Sequence, residues 1–405
     1  MAGSGSLSRV VVFVQENKTP DFYFRSLAAF GADIVEYPTV LPGAPDYDQP
    51  HDRNAWVHFR TGDYPAVHTQ IDTDRLIPFY SWLAKTFTFS DHHFGIGSNS
   101  TSGHLLAVGG QTPTLKNPPF GPAGPTWDMP SIFVHAERSG ISWAAFPDQD
   151  RYPTKFYSEL VAPTPPANIH PVRAGVTDPF VTMALAGTLP RLVYAWGPGG
   201  ADEHPPFLKS DPGYIGRGHD LIWQRVDAVV RAGQWANTTF ILTYDDWGGY
   251  ADHVVTPVAE TAIDAVHPGG FAIIGGSRVP LIMFGGQVGQ RIDNIWHSHA
   301  SIPKTIIDLF GLPAFGIARV DHAPSLALYV DANTTRPTPP AFGAKINQPA
   351  PPTPRPNPVP APAWTGGTNQ PLAPVILNGG KTLPAPSDAI VRPTPPKLPK
   401  QAPTG

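Results

Sequence analysis

The chain has 405 residues, 41% of them hydrophobic and only 15% charged, with a formal net charge of -4 and no cysteine. That length buries a sizeable core. The near-neutral balance excludes a basic field for nucleic-acid phosphates or a Lys/Arg membrane patch, and the missing cysteines exclude disulfides, thiolate metal sites and a cysteine nucleophile. No apolar run approaches the ~18 residues of a membrane span. The stretch from Met1 to Ser8 has no apolar region of signal-peptide type, so neither a signal peptide in the given residues nor a transmembrane segment is expected.

In chain order, short apolar runs end in polar clusters. Val10–Val14 runs into Gln15-Glu16-Asn17, Phe87–Phe89 into Asp91-His92-His93, and Ile141–Phe146 ends at Asp148. Leu192–Trp196 runs into Asp202-Glu203-His204, Phe240–Thr243 into Asp245-Asp246, and Val279–Phe284 into Gly285-Gly286. Uninterrupted apolar runs of this length predict strands buried on both faces. Between them, Leu221–Ala232 places Ile222, Val226, Val229 and Val230 on one helical stripe before Gly233. Ser301 is a candidate cap for a helix carrying Ile302, Ile306, Leu309 and Phe310, ending before Gly311. Strands alternating with helices predict an α/β fold, a doubly wound and mostly parallel sheet flanked by helices. Ligands bind such folds beyond the carboxyl ends of the strands, and the polar clusters are all expected on that edge.

Proline divides the chain. Of 51 prolines, 20 follow Val330. Each removes an N–H donor and fixes φ, so residues 331–405 are expected to form an extended, polyproline-like tail without a core of its own, with Leu372–Leu377 as a piece able to dock. The expected organisation is a leader segment at 1–9, one catalytic domain at 10–330 and the tail.

Four segments carry candidate chemistry. Glu16-Asn17 offers hard oxygen donors for a divalent cation, though the same residues suit a helix cap. Gly97–His104 sets hydroxyls before a compact apolar helix, where backbone N–H groups favour an anion; an ordinary Ser/Thr loop reads the same way. Asp245-Asp246 followed by Gly248-Gly249 and Asp252-His253 is the most specific, because adjacent carboxylates repel in a desolvated site unless a cation joins them. His204 is a candidate general acid or phosphoryl partner, with His51, His104, His219, His297 and His299 as further candidates.

Taken together, these segments resemble the bacterial phosphoesterase family that contains phospholipases C and acid phosphatases, within the alkaline-phosphatase-like superfamily. Val11–Phe24, with Gln15-Glu16-Asn17, Asp21 and Tyr23-Phe24, is similar to its opening motif, with Lys18, Thr19 and Pro20 in place of Arg, Ser and Phe. Ser98–Leu105 is similar to its nucleophile motif, with Asn99 and Ser102 where the family has prolines, so that Thr101 and Ser102 stay rivals of Ser100. Tyr244–Val254 and Asp202–Pro206 resemble its acidic and histidine elements, with Asp246 in place of Glu and Trp247 in place of His; Arg278–Ile282 and His299–Phe310 look like its closing segments.

The resemblance implies a metal-dependent hydrolase of phosphate esters that works through a covalent phosphoserine on Ser100. By it, Glu16, Asn17, Ser100, Asp245 and Asp246 hold one divalent ion (Ca, Mg, Mn or Zn), His51 and His204 bind or protonate the phosphoryl group, and His104, His253 and Asp252 contact substrate. The substrate is a small phosphate ester or a phospholipid head group, with no nucleic acid, and specificity is expected from the loops Leu41–Asp72 and Gln111–Ser131. Family resemblance also implies a periplasmic or secreted protein. A competing expectation, drawn from the departures at Asn99, Ser102 and Asp246, is a catalytically inactive relative that binds through its Pro-rich tail.

Overall fold

The computed structural model describes residues 7–43, 48–61, 66–96, 99–113, 117–118, 125–161, 166–206, 211–254, 258–262, 271–353, 376–377 and 381–382. Seven strands form the central sheet: β1 (Arg9–Gln15), β2 (Thr88–Ser90), β3 (Trp143–Phe146), β4 (Leu192–Trp196), β5 (Thr238–Tyr244), β6 (Leu281–Gly285) and β7 (Arg291–Asp293). Their spatial order is β7-β2-β6-β5-β1-β4-β3. Neighbours pair in parallel except at β6, which is antiparallel to both β5 and β2. The six apolar runs predicted as strands are β1 to β6.

β1 lies between β4 and β5, and the register sets Val14 beside Trp196 and Thr243, and Gln15 beside Tyr244. Three parallel strands therefore end level with one another, and Glu16, Asp202 and Asp245 begin or lie in the loops that leave them. The antiparallel run of β6 corrects one expectation. Gly285 pairs with Thr239 near the start of β5, so Gly285-Gly286 fall at the opposite edge from the other polar clusters.

The sheet is flanked by helices α1 (Pro78–Thr86), α2 (Ser100–Gly109), α3 (Ile132–Arg138), α4 (Pro179–Leu185), α5 (Tyr214–Arg231) and α6 (Ser301–Phe310). Ile222, Val226 and Val229 of α5 are buried as their stripe predicts. Ala300, not Ser301, caps α6; Ser301 is its first residue, and its hydroxyl accepts from the Ser298 N–H. Val10 to Val14 are at most 1% exposed, and Phe13 packs on Phe180 and Phe240 with ring centroids 5.8 and 6.0 Å away. Cutting such a ring back to Ala costs about 3–5 kcal/mol. A smaller sheet joins Val258–Ala262, Phe271–Arg278, His93–Ile96 and His297–Ser298, and its strand His93–Ile96 lies between β2 and α2 in the chain path.

The first part of the proline-rich segment, residues 331–353, follows the globular surface. The Arg336 N–H donates to Gly286 O, the Trp223 indole donates to Pro340 O at 2.8 Å, Phe342 stands edge-on to Trp223, and Gln348 donates to Pro78 O. Further on, Ile376–Leu377 pair antiparallel with Trp127–Asp128; the rest of the docking piece Leu372–Leu377 lies outside the described residues.

Candidate active site

The three level strand ends open onto a cleft of about 430 Å³ lined by Glu16, Asp48, His51, Ser100, Asp202 and His204, together with Asp148, Asp150, Tyr152 and Lys155. Backbone hydrogen bonds zip the loops after β1 and β5 together. Asp245 N–H donates to Gln15 O at 3.0 Å, Asn17 N–H to Asp245 Oδ1 at 2.8 Å, and Lys18 N–H to Asp246 O at 2.9 Å. Asn17 turns this corner at φ 67°, a left-handed conformation that Asn tolerates. A Cβ on Gly248 would lie 2.5 Å from Asn17 O, so only glycine lets the two loops close so tightly.

Helix α2 arrives from the other side. A Cβ on Gly103 would lie 2.2 Å from Asp245 O, so this glycine lets the first turn of α2 rest on the acidic loop. The contact brings Ser100, at the N-terminus of α2, to the carboxylates: its Oγ donates to Asp246 Oδ2 at 3.2 Å. The rival hydroxyls point elsewhere. Tyr152 OH donates to Thr101 Oγ1, and Ser102 Oγ donates to Asn99 O at 2.8 Å.

Glu16, Asp245 and Asp246 are thus gathered in a nearly dry site. Burial, then the charges of Asp245, Asp202 and Asp246, push Glu16 well above the ordinary carboxylate range. Burial and the neighbouring Asp245 raise Asp246 to about 8. Among the described residues, no Lys or Arg side chain forms an ion pair with any of the three. Asp245 Oδ2 and Asn17 Oδ1 are buried with no hydrogen-bond partner. Unpaired buried oxygens of this kind are costly, and a divalent cation is the ligand they fit. Glu16, His104 and Asp245 offer ligand atoms within 4.8 Å of one another, as do Asp48, His51 and His204.

The histidines divide by position. His51 and His204 both line the cleft, ring centroids 5.5 Å apart. Burial opposes charge on His51, but Asp246, Asp48 and the Gln49 carbonyl outweigh it and raise the imidazole to about 10. Burial and the adjacent His51 lower His204 to about 4. Its Nδ1 lies 2.6 Å from Pro205 O, so a neutral His204 carries its proton there.

Three expected substrate contacts are corrected. His104 is fully buried behind the acidic loop: its Nδ1 accepts from the Trp196 indole, which leaves Nε2–H to donate to Glu16 Oε1 at 2.8 Å. It orients a carboxylate and does not line the cleft. Asp252 and His253 do not line it either, because the chain turns back after Gly249 and packs both against Arg278 and Asp21. The other candidate histidines bond to groups of the protein itself: His219 Nε2 accepts from Phe79 N–H, His297 pairs with Asp293, and His299 donates to Tyr244 O.

Sequence reasoning missed Asp48, which lies in one of the loops assigned to specificity, and the role of Glu203. Glu203 is fully buried at φ 71° and accepts from Gln15 Nε2, Tyr23 OH, Tyr80 OH and Tyr244 OH, while its carbonyl accepts from Lys18 Nζ. The tyrosines and glutamine are scattered over more than two hundred positions, so no local pattern signals this network. It anchors the loop that carries His204.

Residues 51–313 match the model of the Phosphoesterase family. A protein named non-specific phospholipase C3 from Arabidopsis thaliana is 27% identical over 157 residues, 33% of this chain and 27% of that protein. Non-specific phospholipase C6 from the same plant is 31% identical over 125 residues, 27% of this chain and 23% of that protein. The chain thus aligns with about a quarter of the length of these relatives. Among solved structures, human ectonucleotide pyrophosphatase / phosphodiesterase 5 is similar with a TM-score of 0.44 at 8% identity, covering 75% of this chain and 95% of that one. A protein in the alkaline phosphatase superfamily from Vibrio parahaemolyticus is similar with a TM-score of 0.39 at 11% identity, covering 76% of this chain and 68% of that one. With its family match running from the cleft histidine at 51 past Ser100, Asp202 and Asp245-Asp246, the chain belongs to the Phosphoesterase family.

Proposed function

We propose that the chain hydrolyses phosphate-ester bonds, with Ser100 as nucleophile and one divalent metal ion held by Glu16, Asn17, Ser100, Asp245 and Asp246. The observation that carries the proposal is the Ser100 hydroxyl, which opens a helix, borders the cleft and donates to Asp246 beside the unpartnered oxygens of Asn17 and Asp245. The all-oxygen donor set favours a hard cation. Such a metal supplies a lowered serine pKa and compensation for charge on the transferring phosphoryl group.

The chain's own residues account for the proton movements. Ser100 Oγ attacks phosphorus and passes its proton along its hydrogen bond to Asp246, while the bond from phosphorus to the alcohol oxygen breaks. His51, the cationic imidazole of the pair, protonates the departing alcohol. Water then attacks the phosphoserine and loses a proton to the now neutral His51, and Asp246 returns its proton to Ser100. His204 lines the same cleft beside His51. Ser100 opens α2, and a helix N-terminus favours an anion such as the phosphoryl group. The relatives named non-specific phospholipase C support a phospholipid-type diester, and the family match supports phosphate esters in general.

Turnover of p-nitrophenyl phosphate and p-nitrophenyl phosphorylcholine, with and without EDTA and with divalent metals restored, tests the proposal. Activity lost with EDTA and regained with metal supports it, and the preferred substrate separates monoesterase from diesterase. No turnover with any added metal contradicts it and favours a binding protein.

A further inference from the structure

The element Arg278–Ile282 has no part in the reaction above, yet Arg278 is fully buried and every nitrogen of its guanidinium is engaged. Its Nε donates to Asp252 Oδ1 at 2.9 Å, Nη1 to Asp33 O and Asp91 O at 2.7 Å each, and Nη2 to Asp21 Oδ1 at 3.1 Å. These acceptors belong to the segments that carry the proposed metal ligands. Asp21 follows Glu16-Asn17, Asp252 follows Asp245-Asp246, and Asp91 opens the stretch leading to Ser100. The backbone does the same: Arg278 pairs with Phe94, and Val279 N–H donates to His93 O.

The loops after β1 and β5 stay in contact beyond the ligands, through Thr19 Oγ1 to Ala251 O at 3.0 Å and His253 N–H to Asp21 Oδ2 at 2.8 Å. At the end of this zip stand two buried carboxylates, Asp21 and Asp252, whose mutual repulsion would part the loops. A planar fork of donors reaches both carboxylates and two carbonyls at once, which the single nitrogen of a lysine cannot do.

We infer that Arg278 is a positioning residue for the metal centre: an internal cation that fixes the spacing of the three ligand-bearing segments by clamping Asp21, Asp252 and Asp91. The inference rests on the proposed metal site. It predicts that metal affinity depends on a guanidinium that does not touch the metal, as it does for partners that orient ligands elsewhere.

The test is calorimetric titration of the metal-stripped full chain with Mn²⁺, together with kcat and KM on p-nitrophenyl phosphate. Arg278→Lys keeps the charge and loses the fork; Asp252→Asn keeps the guanidinium and weakens one clamp, and stands in if the lysine variant does not fold. The expected result is a Kd for Mn²⁺ raised about 10–100-fold in Arg278→Lys and less in Asp252→Asn, with kcat at a fixed Mn²⁺ concentration falling and KM nearly unchanged. Folded variants that bind Mn²⁺ with wild-type affinity and turn over at the wild-type kcat would overturn the inference and leave the proposed function standing. A wild-type chain that binds no Mn²⁺ or other divalent ion would remove the metal site itself, and the inference with it.

Discussion

Two groups of buried carboxylates lie side by side in this molecule, and they are finished differently. Asp21 and Asp252 meet Arg278 and His253, and their oxygens are taken up by guanidinium, imidazole and backbone N–H groups. Glu16, Asp245 and Asp246 form no ion pair with a Lys or Arg side chain among the described residues, Asp245 keeps an unpartnered oxygen, and in two of the three the carboxyl is pushed upward. Both clusters face the same desolvation cost. Where the chain supplies the cation, the cluster holds the structure together. Where it supplies no guanidinium, the cluster is the one proposed to take a cation from outside, and it is there that the Ser100 hydroxyl is placed.

The predictions strain this contrast from both sides. Ser100→Ala removes the nucleophile and leaves the carboxylates; kcat should fall by about 10⁴-fold or more, with an unchanged thermal midpoint. Asp246→Asn removes one proposed ligand; turnover should fall by about 10²–10³-fold, and part of the loss should return at high metal concentration. The same change relieves like-charge repulsion, so the metal-free protein should melt slightly higher, as thermal unfolding in EDTA would record. Arg278→Met does the reverse in the neighbouring cluster. It strands two buried carboxylates and should destabilise the fold by about 3–5 kcal/mol in denaturant titrations.

His253 gives a smaller, pH-dependent effect. Burial opposes its charge, but hydrogen bonds to Asp21 and Asp33 prevail and raise it to about 9. A raised pKa means stability that is complete below the unfolded histidine value of about 6.5 and lost as pH rises through about 9. The gap in thermal midpoint between wild type and His253→Gln should therefore be widest in mild acid and shrink across that window. Smallest of all, Phe342→Ala should cost about 1 kcal/mol, because the ring is 40% exposed and rests edge-on against Trp223.

The sheet was largely legible because strands buried on both faces read as unbroken apolar runs, as Val10–Val14 and Leu192–Trp196 do. Such a run carries no sign of direction, so nothing in Val279–Phe284 marks β6 as antiparallel or moves Gly285-Gly286 to the far edge. The short, polar β7 has no apolar run to announce it. Residues immediately beyond strand ends, Glu16-Asn17 and Asp245-Asp246, were legible because register forces them together. His104 and His253 were placed at the right loops but on the wrong surroundings, since side-chain direction depends on partners such as Trp196 and Arg278 that lie far away in sequence. Asp48 was hidden in a loop with no periodicity, and Glu203 draws its four side-chain donors from four separate elements.

The most direct test of the central claim is to quench turnover of p-nitrophenyl phosphate with acid and search the digested protein for phosphate by mass spectrometry. The account predicts a single phosphorylated residue, Ser100, formed with metal present and absent with EDTA or in Ser100→Ala. Steady turnover by an enzyme whose Ser100 never carries phosphate, or a phosphate trapped on Thr101, Ser102 or a histidine instead, would contradict it.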